Sequence, residues 1–521
     1  MKKYSFAGLL SLCVSLLLLS SCMQPQPSTY PDGMLRGVPE DYGVSSHCIL
    51  DFVEELENQG LEMHSFMFMR RGRVLAEGYW SPYKADMNHV MYSVSKTFAS
   101  TAIGFAVKEK KLSVDDKVIS FFPDDLPPVL SPNLEKLTIK HLLTMTVGHE
   151  TAPVFYMEDD NWVKRFLATP IVHEPGKVFL YNTYATYMLS AILQKVTGQT
   201  MLEYLKPRLF DPLNMDGAVW ENGQDNISAG GWGLSIKTAD MMKLGRLYLQ
   251  KGKWNKKKLL PESWIKEASS VHIFQVDEPT FEQEMYDEGA QGYGYQIWRS
   301  RHNAYRAAGA NGQFILVMPD QEAVMVTTAR VSDSQRILSL FWEYLYPGIM
   351  PKMQRKNYAA RDALVSKLAS LHLEHPFLTE EEDFVRKDTT FAYTMEENEA
   401  GITTASFAFD KEGVCKLTLD GKGNPYSFDF GYDIWRYGKT EKMSPYYLNT
   451  RRNPEEMQPY SVAGFGSWTA KDELSLRLCY LVEAEYETYI CNFTPGKVAI
   501  TLSNSMQPGD STIITGSIKE R

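Results

Sequence analysis

MYSVSKTFASTAIGFAVKEKKL, residues 91–112, is the stretch whose reading decides the fold. Its apolar members Phe98, Ala102, Ile103, Phe105 and Ala106 recur at helical spacing, and Lys96 is the sole charged residue from Met91 to Val107. A helix opening at Ser93 puts Ser93 and Lys96 three residues apart on one face, so the ammonium lies beside the hydroxyl. The first amides of such a helix have no internal partner and carry the positive end of the dipole, which suits a developing oxyanion. Burial on an apolar face lowers a lysine pKa, the direction that a base near neutral pH requires. Ser93 is therefore the candidate nucleophile, Lys96 its partner and the Ser93 amide an oxyanion donor.

Spacing alone does not single out this pair, because S-x-x-K recurs at Ser81–Lys84 and Ser263–Lys266. Pro82 reads as a turn, and Ser263 and Lys266 fall in a polar surface helix. Ser93 stands apart by context, with a β-rich run upstream and an apolar helix directly after it.

Outward from that stretch, helical patterns cover Ile49–Asn58, Thr97–Glu109, Thr183–Val196, Thr238–Gln250 and Pro261–Ala268. They are interleaved with β-rich runs at Phe66–Tyr79 and Phe314–Thr328. This alternation predicts an α+β domain over residues 44–348. Residues 349–376 read as a helical connector. From 377 to 521 short alternating segments, among them Cys415–Leu419, Leu474–Leu481, Tyr486–Phe493 and Lys497–Leu502, are parted by turn pairs such as Asp420-Gly421 and Pro495-Gly496. That pattern predicts an antiparallel β-barrel or sandwich.

The amino terminus, MKKYSFAGLLSLCVSLLLLSSC, has two lysines, an apolar stretch too short to span a bilayer, then small residues and a cysteine. Residues 1–22 read as a secretory signal, and Leu19-Ser20-Ser21-Cys22 resembles a bacterial lipobox in which Cys22 is lipidated. Residues 23–43, rich in Pro, Gln and Ser at their start, read as a tether, with folded structure from Val44. The expected location is outside the cytoplasm, anchored by lipid and facing the periplasm or the exterior. Beyond Cys13 and Cys22 only Cys48, Cys415, Cys479 and Cys491 remain, too few to scaffold a chain of 521 residues. A hairpin centred near Glu485 leaves two readings of Cys479 and Cys491, a cross-strand disulfide or two buried thiols. A net charge of -10 gives no electrostatic reason to bind nucleic acid. His372-Leu373-Glu374-His375 lacks the H-E-x-x-H spacing of a metal site. No metal or cofactor is expected.

MYSVSKTF resembles the nucleophile motif of class C β-lactamases and of their esterase and 6-aminohexanoate-dimer hydrolase relatives. Further stretches match in order: LTIKHLLTMTVGH (137–149), HEPGKVFLYNTYATYMLSAILQKVTG (173–198), GGWGLSIKTADMMKLGRLYL (230–249), and Tyr293–Thr328. The resemblance implies an antiparallel sheet flanked by helices with a helical subdomain, and acyl transfer through a serine. It makes Tyr181 of Tyr181-Asn182-Thr183 the proton-transfer partner, with threonine where the family has asparagine. At the family's K-T-G strand this chain reads Ala307-Ala308-Gly309, without the cation that meets a substrate carboxylate. Thr183, Ala307 and Gly309 are the implied substrate-binding residues, and Ala310 the second oxyanion amide. A small ester or amide is the expected substrate, with weak β-lactamase action. A D-amino-acid or cell-wall peptidase and a catalytically idle binding lipoprotein stay open beside it, as does entry of Arg299 or Arg306 in place of the missing cation.

Overall fold

A computed structural model describes residues 30–519 except 157, 158, 160, 277–279, 281, 282, 284, 285, 374–385, 422–424, 433 and 446–458. Cys22 and the signal stretch lie outside the described residues. Strands of the first part are β1 (Leu35–Arg36), β2 (Met63–Arg70), β3 (Arg73–Tyr79), β4 (His89–Val90), β5 (Val219–Trp220), β6 (Leu234–Ile236), β7 (Lys253–Trp254), β8 (Lys257–Lys258), β9 (Trp298–Arg299), β10 (Tyr305–Gly309), β11 (Gln313–Met318) and β12 (Ala323–Ala329). The main sheet runs β1-β3-β2-β12-β11-β10-β9, antiparallel apart from the β1–β3 pair.

Its central strands are apolar on both faces because both faces are covered. Successive side chains of β2 point opposite ways, so Met67 and Met69 enter one core while Phe66 and Phe68 enter the other. Ile315 and Val317 of β11 join the first core, Phe314, Leu316 and Met318 the second. Helices Ser95–Lys108, Thr183–Thr197 and Thr238–Leu249 supply residues to the first core, and helix Ser46–Asn58 with the turns after Gln335 to the second. The observed helices match the sequence periodicity to within a few residues, the usual fraying of helix ends.

One expectation needs correction. The fold begins before Val44: Met34 is buried, Leu35 and Arg36 pair with Arg73 and Val74, and Arg36 is bonded to Asp32 and Glu77. A two-residue strand held by ion pairs leaves no periodicity to read. Of the two forms expected for the β-rich tail, it takes the barrel.

The barrel strands are β13 (Thr389–Met395), β14 (Thr404–Phe409), β15 (Cys415–Asp420), β16 (Tyr426–Tyr432), β17 (Arg436–Thr440), β18 (Tyr460–Ala470), β19 (Glu473–Tyr480), β20 (Glu485–Thr494), β21 (Lys497–Asn504) and β22 (Ser511–Ile518). Nine of them form a closed ring in which β16 meets β18 in parallel, Phe430 opposite Gly464, while β17 pairs with the preceding part of the same β18 edge, Thr440 opposite Tyr460. Alternation fills the interior: Ala405, Phe407 and Phe409 of β14 point in with Leu417, Leu476 and Ile500. Register decides the cysteine question. Cys479 faces Tyr486 and Cys491 faces Leu474, so both are buried free thiols, Cys491 inside the barrel and Cys479 against the neighbouring domain.

The barrel is packed onto the first domain. Ala463, Cys479 and Leu481 join its second core, and Arg477 donates to Glu62 at 2.8 Å. Burial opposes ionisation of Glu62, but the Arg477 charge and the His64 ring bring its carboxyl down to about 2. The helix Tyr358–Ala369 rides on the same face through Leu364. No helix among the described residues is long and apolar enough to cross a membrane.

Candidate active site

The segment carrying Ser93 enters from β4, which pairs with β6, and the Met91 amide then donates to the Leu234 carbonyl at 2.8 Å. A 3₁₀ turn over Tyr92–Val94 follows, and the α-helix starts at Ser95, two residues later than a helix opening on the serine. The tighter turn helps, because i and i+3 side chains eclipse in 3₁₀ geometry. Lys96 Nζ reaches Ser93 Oγ at 2.9 Å.

Lys96 is buried, and its Nζ also donates to Thr183 Oγ1 at 3.3 Å and to the Gly231 carbonyl at 2.8 Å. Both of these groups act as acceptors, so together they use two N–H bonds. The third tetrahedral position then faces Ser93 Oγ, where an ammonium donates and a neutral amine accepts the serine proton. The nitrogen lies 4.9 Å from the centre of the Tyr181 ring. Gly231 is required here, since a Cβ would stand 2.8 Å from the Thr183 carbonyl oxygen and 3.4 Å from Lys96 Nζ.

Tyr181 stacks on Trp298, ring centres 5.6 Å apart, and Trp298 meets Tyr293 edge-on. Burial, reinforced by Tyr181, pushes the Tyr293 phenol well above its usual range, so Tyr293 stays protonated. Asn182 and Thr183 divide two tasks. Asn182 caps helix Thr183–Thr197 by accepting from the Tyr184 and Ala185 amides, and its other amide atom meets His149 Nδ1 at 3.1 Å. Thr183, the first helical residue, turns its hydroxyl to Lys96. The altered third position of the motif therefore bonds the lysine as well as lining the cavity.

The opposite wall is the end of β10. A Cβ on Gly309 would stand 2.4 Å from the Met91 carbonyl oxygen and 3.3 Å from the Ser93 amide, so only glycine lets this strand close on the turn that carries Ser93. Ala310 follows in a 3₁₀ turn. Ser93, Tyr181, Thr183, Gly309 and Ala310 all line one cavity of about 460 Å³ with Gly231, Trp232, Trp298, Arg306, Ala308 and Phe314. Ala307 does not. Strand alternation turns it into the helix-side core, and Ala308 and Arg306 face the cavity instead, which corrects its assignment as a binding residue.

Neither arginine replaces the missing cation as a free charge. Arg299 donates to the Ser269 carbonyl at 3.0 Å and to Asn303 at 2.8 Å. Arg306 lines the cavity but is buried, and its guanidinium is met by Glu288 at 3.3 Å, by Ser300 Oγ at 2.7 Å and by the Arg299 carbonyl at 2.7 Å. No cluster of residues suited to a metal ion occurs among the described residues. Sequence reasoning passed over Gly231, Trp232 and Trp298. Only Gly231 left a signal, the glycine-rich GGWG at 230–233, whose separation from Ser93 hides the contact.

A family profile described as Beta-lactamase matches residues 51–337. The chain is 23% identical over 312 residues to the 6-aminohexanoate-dimer hydrolase of Paenarthrobacter ureafaciens, covering 56% of this chain and 78% of that protein. It is 26% identical over 168 residues to the lovastatin esterase of Penicillium rubens, covering 27% of this chain and 42% of the esterase. Among solved structures, a penicillin-binding protein homologue from Caulobacter crescentus superposes with a TM-score of 0.48 at 16% identity, over 59% of this chain and 99% of that one.

Proposed function

The chain belongs to the beta-lactamase family of serine hydrolases, and from that premise we propose that it hydrolyses a small ester or amide through an acyl-enzyme on Ser93. One observation carries the reading: Lys96 Nζ, with two of its positions fixed by Thr183 and Gly231, directs the third at Ser93 Oγ. The relatives point the same way, one named for an amide and another for an ester.

Ser93 Oγ attacks the carbonyl carbon and its proton passes to the Lys96–Tyr181 pair. The carbonyl π pair moves onto oxygen, held by the Ser93 and Ala310 amides. Loss of one such donor typically costs about a hundredfold to a thousandfold. The intermediate collapses as the pair returns the proton to the departing alcohol or amine. Water then repeats the sequence on the acyl-enzyme, and Ser93 regains its proton as the acid leaves. No cofactor is needed. The β10 wall, apolar at Ala308 and with the Arg306 guanidinium tied to Glu288, Ser300 and the Arg299 carbonyl, favours neutral acyl groups over carboxylate-bearing ones.

We also propose that the protein is an exported lipoprotein attached to a bacterial membrane at Cys22, a reading supported by the signal-like residues 1–22. For the hydrolase reading, Ser93→Ala should lower kcat/KM for a p-nitrophenyl ester by at least about a thousandfold, with the melting temperature within a few degrees of the parent. Undiminished turnover would remove Ser93 as nucleophile.

A further inference from the structure

The turn joining β19 to β20 does more than cover the first domain. Ala484 at its tip, in the left-handed region with φ 65°, is buried among the residues of the first domain's helix-side core. Beside it the Val482 carbonyl accepts from the Val90 amide at 2.6 Å, three residues ahead of the nucleophile. The Tyr92 phenol lies between the Glu483 carbonyl at 2.9 Å and Glu485 Oε1 at 3.1 Å. Tyr92 immediately precedes Ser93, is buried, and has φ 43°. A bulky side chain resists that left-handed conformation, which persists only where the surroundings fix it.

The same carboxylate also reaches the far side of the oxyanion site. Glu485 is buried, and its Oε2 accepts from Arg330 Nε at 2.9 Å and from Ser505 Oγ at 2.5 Å. Arg330 leads into Val331, whose amide donates to the Asn311 carbonyl at 3.0 Å. Asn311 follows Ala310 directly and sits at φ 63°. One barrel side chain thus braces the residue before Ser93 and, through Arg330, the residue after Ala310.

We propose that the carboxy-terminal barrel is an integral brace of the active site: its β19–β20 turn fixes the spacing of the Ser93 and Ala310 amides, with Glu485 as the positioning residue and Tyr92 as its handle. The inference rests on the reading of Ser93 as nucleophile. Slack in this brace displaces the amides from the oxyanion without altering the walls that bind the acyl group, so the loss falls on kcat.

The test uses the full chain and p-nitrophenyl acetate, with rates expressed per serine labelled by a fluorophosphonate. Tyr92→Phe and Glu485→Gln should each lower kcat by about tenfold to a hundredfold, with KM within about threefold of the parent. Tyr437→Phe removes a different contact between the domains, the 3.0 Å bond to the Pro82 carbonyl, and should leave kcat unchanged. Tyr92→Phe carries the test alone should Glu485→Gln not fold. Unchanged kcat in Tyr92→Phe, with Ser93→Ala inactive, overturns the brace and leaves the nucleophile reading standing. An equal fall in Tyr437→Phe overturns it as well, since any weakening of the interface would then suffice. Turnover by Ser93→Ala overturns the nucleophile reading itself.

Discussion

The two walls of the cavity are built on different terms. On the helix wall every visible position of Lys96 Nζ has a partner, and Gly231 and Thr183 exist there in the form that lets the nitrogen reach Ser93. On the β10 wall the cation of the family motif is gone, Ala308 lines the cavity, and the Arg306 guanidinium is held by Ser300, the Arg299 carbonyl and Glu288, a carboxylate it shares with Arg301. On the proposed reading, proton transfer and substrate recognition sit on separate elements, and each departs from the family motif at one position, Thr183 on the first and Ala307 on the second.

The sharpest way to break this contrast is at the helix wall. Lys96→Ala and Tyr181→Phe should each slow acylation by at least about a thousandfold, and the double variant should be hardly slower than the poorer single one, because groups acting as a unit are not additive. Multiplied defects in single-turnover rates would mean two separate steps. The β10 wall predicts a smaller effect, seen in substrate choice: kcat/KM for a neutral ester should exceed that for its carboxylate analogue by about tenfold, the scale of one charge-assisted bond. Preference for the carboxylate would mean that Arg306 acts as a free cation.

Smaller still is Thr183→Val, which leaves one Lys96 N–H without its acceptor and should cost about tenfold in kcat, with Thr183→Ser close to the parent. If valine is harmless, the hydroxyl does not orient the lysine. The last prediction concerns what supports the helix wall. His89 on β4 and His149 beside Asn182 are held neutral by burial, at about 3 and about 4, His64 adding to the effect on His89. Both folded values lie below the ordinary value of about 6.5. The unfolded chain then binds more protons than the folded one in that interval, so stability falls as pH drops from about 6.5 toward 4, by up to about 1.4 kcal/mol per pH unit for each histidine. Burial raises the Glu485 carboxyl and works in the opposite sense. Urea midpoints at pH 7.5 and 5 should differ accordingly, and equal midpoints would contradict neutral burial of these rings.

What the sequence made legible follows from the range of each interaction. Ser93 and Lys96 are three residues apart, so a local pattern suffices, and Tyr181 came from a motif that matched over many residues. The barrel strands were readable because alternation is local, but the closing pair of β16 with β18 is not. Arg306 and Glu288 pair across a strand and a turn with no motif, and Tyr92 meets Glu485 across 393 residues. The misplaced hairpin centre has a similar cause. The β19–β20 turn uses Ala484 at positive φ where Gly or Asn would have announced it, so the register that separates Cys479 from Cys491 was hidden.

An activated serine reacts with a fluorophosphonate and an idle one does not, which gives the most direct trial of the central claim. Incubation of the full chain with such a probe, followed by proteolysis and mass spectrometry, should place one phosphonyl group on the peptide containing Ser93, with labelling lost in Lys96→Ala. An unlabelled chain, or label on another serine, would contradict the account.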